Sequence, residues 1–251
     1  MGAVLLLFNG LLLEVNLNLL IVGHAVLALT FAITAFSFKN VKLLGHMFEP
    51  MEHVIHVSVP VITKVLGVEP SSISGVPILL EVEPSSKYET AVEDFIVEQQ
   101  SRKSLVYVFS SSASPVMTAI SKLPEVRIFV LTDSVSYAEP TAEAHKTLVP
   151  QNHADVIVDL TSRIISANKI GLNSVVFDNL SAMVLALGEQ ETLKLVIGML
   201  NTLSGGATTS LFLTTRKAHP PDFSLALARL FARKLTYDSA GLREAKQRYS
   251  V

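Results

Sequence analysis

Cysteine is missing from all 251 residues, and so is tryptophan. Without thiols there are no disulfides, no Cys-ligated zinc, no iron–sulfur cluster and no cysteine nucleophile. Charge is scarce as well. Asp, Glu, Lys and Arg make up 17% of the chain, against about 25% in ordinary soluble domains. The net charge is −2 and the pI near 6.4, which excludes a bulk polycation built for nucleic acid. Several catalytic signatures are also absent: no G-x-S-x-G, no H-E-x-x-H and no G-x-G-x-x-G occurs. What the chain has in excess is apolar surface, with 49% hydrophobic residues and a mean hydropathy of +0.46.

That excess sits at one end. Residues 15–38 are 24 consecutive positions without Asp, Glu, Lys or Arg. As a helix they measure roughly 36 Å at 1.5 Å per residue, enough for a bilayer core of about 30 Å. The expectation is one spanning helix over about 15–38, within an anchor of residues 1–38. Glu14, Asn16 and Asn18 mark its first edge, and residues 1–13 form either an interfacial helix or an extension of the span. A cleaved signal peptide fits less well, because it needs a basic start and an apolar core of about 7–15 residues. A buried soluble helix is the other competing reading. Lys39 and Lys42 follow the run and no basic residue precedes it, so the positive-inside rule puts everything after residue 39 in the cytoplasm.

Residues 39–74 read as a juxtamembrane linker with an amphipathic helix, broken by Pro50 and Pro60. On a continuous helix, His46, Glu49, His53 and His56 fall within about 80° of arc. Three imidazoles and a carboxylate suit a divalent metal or a pH-sensitive surface. Pro50, however, separates the two halves, and the plainer reading is a helix lying at the interface with its polar residues in water.

From residue 75 to 251 the pattern is α/β. Strands are expected at 76–83, 104–110, 126–132, 173–181, 209–215 and 234–238. Helices alternate with them at 88–101, 114–123, from about Ile157 to near Gly171, and at 191–203 and 223–232, with a basic terminal helix from Leu242 to Tyr249. Residues 133–152 read as a polar connector. The strands are continuous apolar runs, the form taken when both sheet faces are covered. The fold class expected is a mostly parallel sheet with helices on both faces.

A phosphate loop is the decisive chemical test for such a domain. The G-x-x-x-x-G-K-[ST] pattern supplies glycines for close backbone approach, a lysine for the phosphates and a hydroxyl for Mg²⁺. Placed after the 104–110 strand, it puts Ser110 and Pro115 at the glycines, Val116 at the lysine and Met117 at the hydroxyl. Lys122 lies too far along the helix, and Thr118 is one position off. The serine-rich turn with Ser110, Ser112 and Ser114 retains only amides and hydroxyls for an anion. The strand VVFD (175–178) ends in Asp178, the form of a carboxylate that orients Mg²⁺, although an Asp capping the following turn looks the same. His145, His153 and His219 read as solvated loop histidines.

The order of elements, the run GVPILLEVEPSSKYETAVEDFI, the strand VVFDNLS and the segment SLFLTTRKAH together resemble KaiC-like domains of the RecA superfamily. Within it the chain is most similar to a mostly archaeal, membrane-associated branch, domain-of-unknown-function family 835. The resemblance spans roughly residues 75–240 and implies a RecA-like core. It also implies that Asp178 holds the metal-orienting position and that Arg216, with Lys217, sits where such folds place subunit-contact or phosphate-sensing groups. Active members' phosphate-loop pattern does not carry over at 110–117.

The function expected is therefore a membrane-anchored, non-enzymatic RecA/KaiC-like module for assembly, scaffolding or signalling. Its partners would be membrane lipid and a protein or a second copy of itself, with no nucleic acid and no cofactor. The alternatives are a nucleotide switch or ATPase with an atypical loop, using Ser110, Ser112, Ser114, Asp178 and Arg216, and a metal- or pH-responsive protein using His46, Glu49, His53 and His56.

Overall fold

The computed structural model describes residues 61–168, 171–204 and 208–245. The apolar run 15–38 and the cluster His46, Glu49, His53 and His56 lie outside the described residues. Among those described, no helix is long and apolar enough to cross a membrane, and no three metal-ligating side chains come together.

The chain enters through helix α1 (Val61–Leu66) and a 3-10 turn (Pro70–Ile73). There follow β1 (Pro77–Val82), α2 (Glu89–Ser101), β2 (Leu105–Ser111), α3 (Pro115–Ile120) and β3 (Val126–Thr132). After β4 (Glu139–Pro140) and β5 (Lys146–Pro150) come α4 (Ala154–Ala167), β6 (Asn173–Asp178), α5 (Leu180–Leu187) and α6 (Glu189–Leu203). The last elements are β7 (Thr208–Thr215), α7 (Pro221–Ala228), β8 (Arg233–Asp238) and β9 (Gly241–Glu244).

The nine strands among the described residues form one sheet in the order β4-β5-β3-β2-β6-β7-β1-β8-β9. Every pairing is parallel except the two at the edges, β4 with β5 and β8 with β9. The expected α/β architecture is present. Alternate strand residues serve alternate faces. Ile78, Leu80, Val106, Val108, Val176 and Leu211 pack in one core with Val92, Phe95 and Ile96 of α2 and Val116 of α3. The intervening positions carry a row of rings at one level of the sheet. Phe129, Phe109, Phe177 and Phe212 are register partners across β3, β2, β6 and β7, with neighbouring centroids 4.7, 5.8 and 5.9 Å apart. Helices α4 and α6 approach closely at Gly198, where an added Cβ would sit 3.0 Å from Val158.

Residues before 75 pack with the sheet: Ile62, Leu66 and Ile73 are buried in the same core as Phe95, and buried Glu98 on α2 accepts from the Ile62 amide at 3.0 Å. Two sequence expectations need correction. The 133–152 connector contains β4 and β5, the latter too short (KTLVP) to stand out among polar neighbours. Finally, the chain after 241 opens as strand β9 rather than a helix. Asp238 receives the Ala240 amide at 3.0 Å, Gly241 supplies φ +93°, and Arg233 pairs with Glu244 across the hairpin at 3.1 Å.

Candidate functional site

Because the inner strands are parallel, the loops after β1, β2, β6, β7 and β8 all emerge at one edge of the sheet, the edge where open α/β sheets bind ligands. Asp178 is the last residue of β6 and 1% exposed. Its register partner on β2 is Ser110, whose hydroxyl donates to Asp178 Oδ2 at 2.6 Å. The Ser114 hydroxyl donates to the same oxygen, while Ser114 also caps α3 by accepting from the Val116 amide at 3.1 Å. Ser114-Pro115 thus opens the helix as its sequence predicts. The next helix is capped by Asn179, not by Asp178: Asn179 Oδ1 accepts from the Ala182 amide at 2.8 Å. Asp178 Oδ1 is buried with no protein partner. Burial pushes the Asp178 carboxyl above the ordinary carboxylate range, against the lowering pull of the Ser110 and Ser114 hydroxyls.

Sequence reasoning missed Tyr88. This residue precedes α2, is 9% exposed and belongs to the core. Burial pushes its phenol up to about 12, helped by the nearby Asp178 charge and opposed by hydrogen bonds to Ser114 and Asn179. The side chain therefore reaches from the loop after β1 to the group around Asp178.

This loop is the second place where a phosphate loop belongs, since β1 also runs through a turn into a helix. The pattern started at Glu83 puts Glu83 and Tyr88 at the glycines, Glu89 at the lysine and Thr90 at the hydroxyl. The only chemical match, Thr90, is engaged elsewhere: it donates to Lys87 O at 2.8 Å and shares a 3.0 Å hydrogen bond with Tyr237. No glycine occurs anywhere between Gly75 and Gly171. Neither loop supplies the glycines or the lysine of that pattern.

The other expected site residues lie apart. Ser112 is exposed on the turn after β2. Arg216 follows β7 and turns toward β8, where its guanidinium is 3.8 Å from Asp238; Arg243 pairs with the same carboxylate. His145 is exposed beside Glu143 at 3.7 Å. His219 corrects the expectation of a solvated loop residue. Its Nε2 is 2.8 Å from Ser181 Oγ, and its ring stands edge-on to Phe223 at 5.1 Å. Burial lowers the His219 imidazole below its ordinary range, opposed by Glu189.

No family model and no curated protein matches the chain. Solved structures do. The structure of PH0250 from Pyrococcus horikoshii OT3 matches with a TM-score of 0.51 at 13% identity, over 69% of this chain and 89% of that one. The KaiC-like protein PH0186 of the same archaeon matches with a TM-score of 0.50 at 13% identity, over 79% and 91%. At this identity the likeness speaks for fold alone. Together with the parallel sheet and its strand-end Asp178, it gives the chain a KaiC-like, RecA-type fold.

Proposed function

We propose that this chain is a RecA/KaiC-like module that does not hydrolyse ATP and acts by assembly or scaffolding at a membrane, in the manner of family 835. One observation carries the reading. Tyr88 is buried beside Asp178, Ser114 and Asn179 at this sheet edge, and the loops entering the edge contain no glycine. Phosphoryl transfer depends on positioned cations and amides around the transferring group. Here Glu83 and Glu89 flank the loop after β1, and Val116 and Met117 occupy the corresponding positions after β2. Asp178 is left without the companions that would make it a metal-orienting carboxylate.

The membrane part of the proposal rests on residues 15–38 and on the basic pair Lys39 and Lys42. It places the α/β domain on the cytoplasmic side of a single span. Two measurements test the whole. Full-length protein incubated with Mg²⁺ and ATP is expected to give no turnover above background and no nucleotide-dependent rise in Tm. Turnover that disappears in Asp178→Asn overturns the reading in favour of an active enzyme with an unusual loop. Membrane fractions washed with carbonate are expected to keep the protein in the pellet, and its release to the supernatant removes the anchor.

A further inference from the structure

We propose that Ser181 and His219 form a second chemical site at the same sheet edge, a serine nucleophile with its general base, which takes small carboxylic esters with an apolar acyl group. The geometry is that of an activated hydroxyl. Ser181 lies in the first turn of α5, two residues beyond Asn179, so a strand and a sharp turn deliver it to the edge. His219 Nε2 approaches its Oγ at 2.8 Å, within the range for proton transfer between a nucleophile and its base. The ring is held edge-on by Phe223, and burial keeps it neutral near pH 7, the form that accepts a proton. Glu189 is the acidic group acting on that ring. The Oγ also accepts from the Thr215 amide at 2.9 Å and lies 3.3 Å from Thr214 Oγ1. These contacts fix the hydroxyl and favour negative charge as it develops there.

The acyl preference follows from the surface next to the pair. Leu185 is four residues beyond Ser181, on the same face of α5, and is 89% exposed. Ala182 and Ala186 are exposed as well, and no charged residue occurs in this helix. The face that buries Ser181 at its start therefore opens, one turn on, into apolar surface suited to a short hydrocarbon chain.

In the reaction, Oγ of Ser181 bonds to the ester carbonyl carbon as its proton passes to His219 Nε2. The bond to the alcohol oxygen breaks and the alcohol leaves with that proton. Water, deprotonated by the same imidazole, then cleaves the Ser181 ester, releasing the carboxylic acid and restoring the hydroxyl. Nothing here uses Asp178 or a nucleotide, so the result is independent of whether ATP is hydrolysed.

The test is covalent labelling of the full chain with an alkyl fluorophosphonate, in which the Oγ–P bond forms as fluoride leaves, followed by peptide mass mapping. The expected result is an adduct on Ser181, absent in Ser181→Ala, and formed about 100-fold more slowly or worse in His219→Gln. Hydrolysis of p-nitrophenyl butyrate should fall in parallel. Mapping on the wild-type protein decides the matter even if a variant misfolds: no adduct on Ser181 overturns the proposal. In folded variants, equal labelling rates with and without His219 overturn it too.

Discussion

Ser110 and Asp178 are direct register partners on neighbouring parallel strands, and the serine hydroxyl donates to the carboxylate at 2.6 Å. With Ser114 on the same oxygen, two donors serve one side of a buried carboxylate while Oδ1 has no protein partner. Burial wins over the hydroxyls, and the folded-state pKa lies above the unfolded one. The folded protein therefore binds this proton more tightly. Its contribution to stability is full at pH below the unfolded carboxylate value and is lost as pH rises through the raised folded value. Asp178→Asn removes the ionisation. The variant is expected to melt higher than wild type at pH 8, by on the order of 2–4 °C per kcal/mol recovered, with the advantage vanishing toward pH 4. Thermal unfolding of both proteins across that range checks it. A loss of stability that grows from pH 4 to pH 8 would show that the carboxylate is needed as an ion.

Tyr88 separates two contributions, a ring and a hydroxyl. Tyr88→Ala leaves a cavity in the core and is expected to cost about 3–5 kcal/mol. Tyr88→Phe keeps the ring, loses the hydroxyl that lies among Asp178, Ser114 and Asn179, and should cost about 1 kcal/mol. Urea unfolding of the pair checks the order. Neither variant is expected to gain ATP turnover, because no glycine or lysine is restored at the glycine and lysine positions.

His219 gives the opposite pH sign from Asp178. Burial lowers its folded pKa below the unfolded value, so between the two the unfolded chain binds more protons. Stability is present above the unfolded imidazole pKa of about 6.5 and falls as pH drops toward the folded value. His219→Gln should flatten this step between pH 7.5 and 5.5. An unchanged slope in the variant would assign the acid sensitivity to other groups.

The row of stacked rings carries packing that no single strand provides. Phe109 is fully buried and touches rings on both sides, at 4.7 Å to Phe129 and 5.8 Å to Phe177. Phe109→Ala is expected to destabilise by about 3–5 kcal/mol. Double-mutant cycles with Phe177 should show a coupling of roughly 0.5–1.5 kcal/mol. Strict additivity would reduce the stack to independent burial.

The sequence shows its inner strands plainly because burial on both faces leaves unbroken apolar runs: Val126–Thr132 is read to the residue. Ser114-Pro115 announces α3 for an equally local reason. Neighbourhood in the sheet is not local. That β1 lies between β7 and β8 cannot be read from its own residues, so the loop at 83–88 is tested for phosphate binding only once the sheet is assembled. The same holds for His219, whose partner Ser181 is 38 positions away. Of the five residues expected at a nucleotide site, Ser110, Ser114 and Asp178 do meet, because β2 and β6 are adjacent. Arg216 does not, since it follows β7 and turns to Asp238 across β1. Hydrophobic pattern also failed at β9, where a glycine turn and a carboxylate clamp decide the conformation of a basic segment.

The insertion of β6 and β7 between the first two strands has a consequence for synthesis on the ribosome. Leu79 of β1 has its register partners in Phe212 of β7 and Lys234 of β8, the nearer of them about 130 residues later and roughly 7 to 27 seconds further into translation at ~5–20 residues per second. For that time both flanks of β1 wait for strands not yet made, while β2 and β3 pair promptly. Nascent chains stopped before residue 208 carry an apolar strand with no neighbour, and they are expected to bind holdase chaperones and to be degraded quickly.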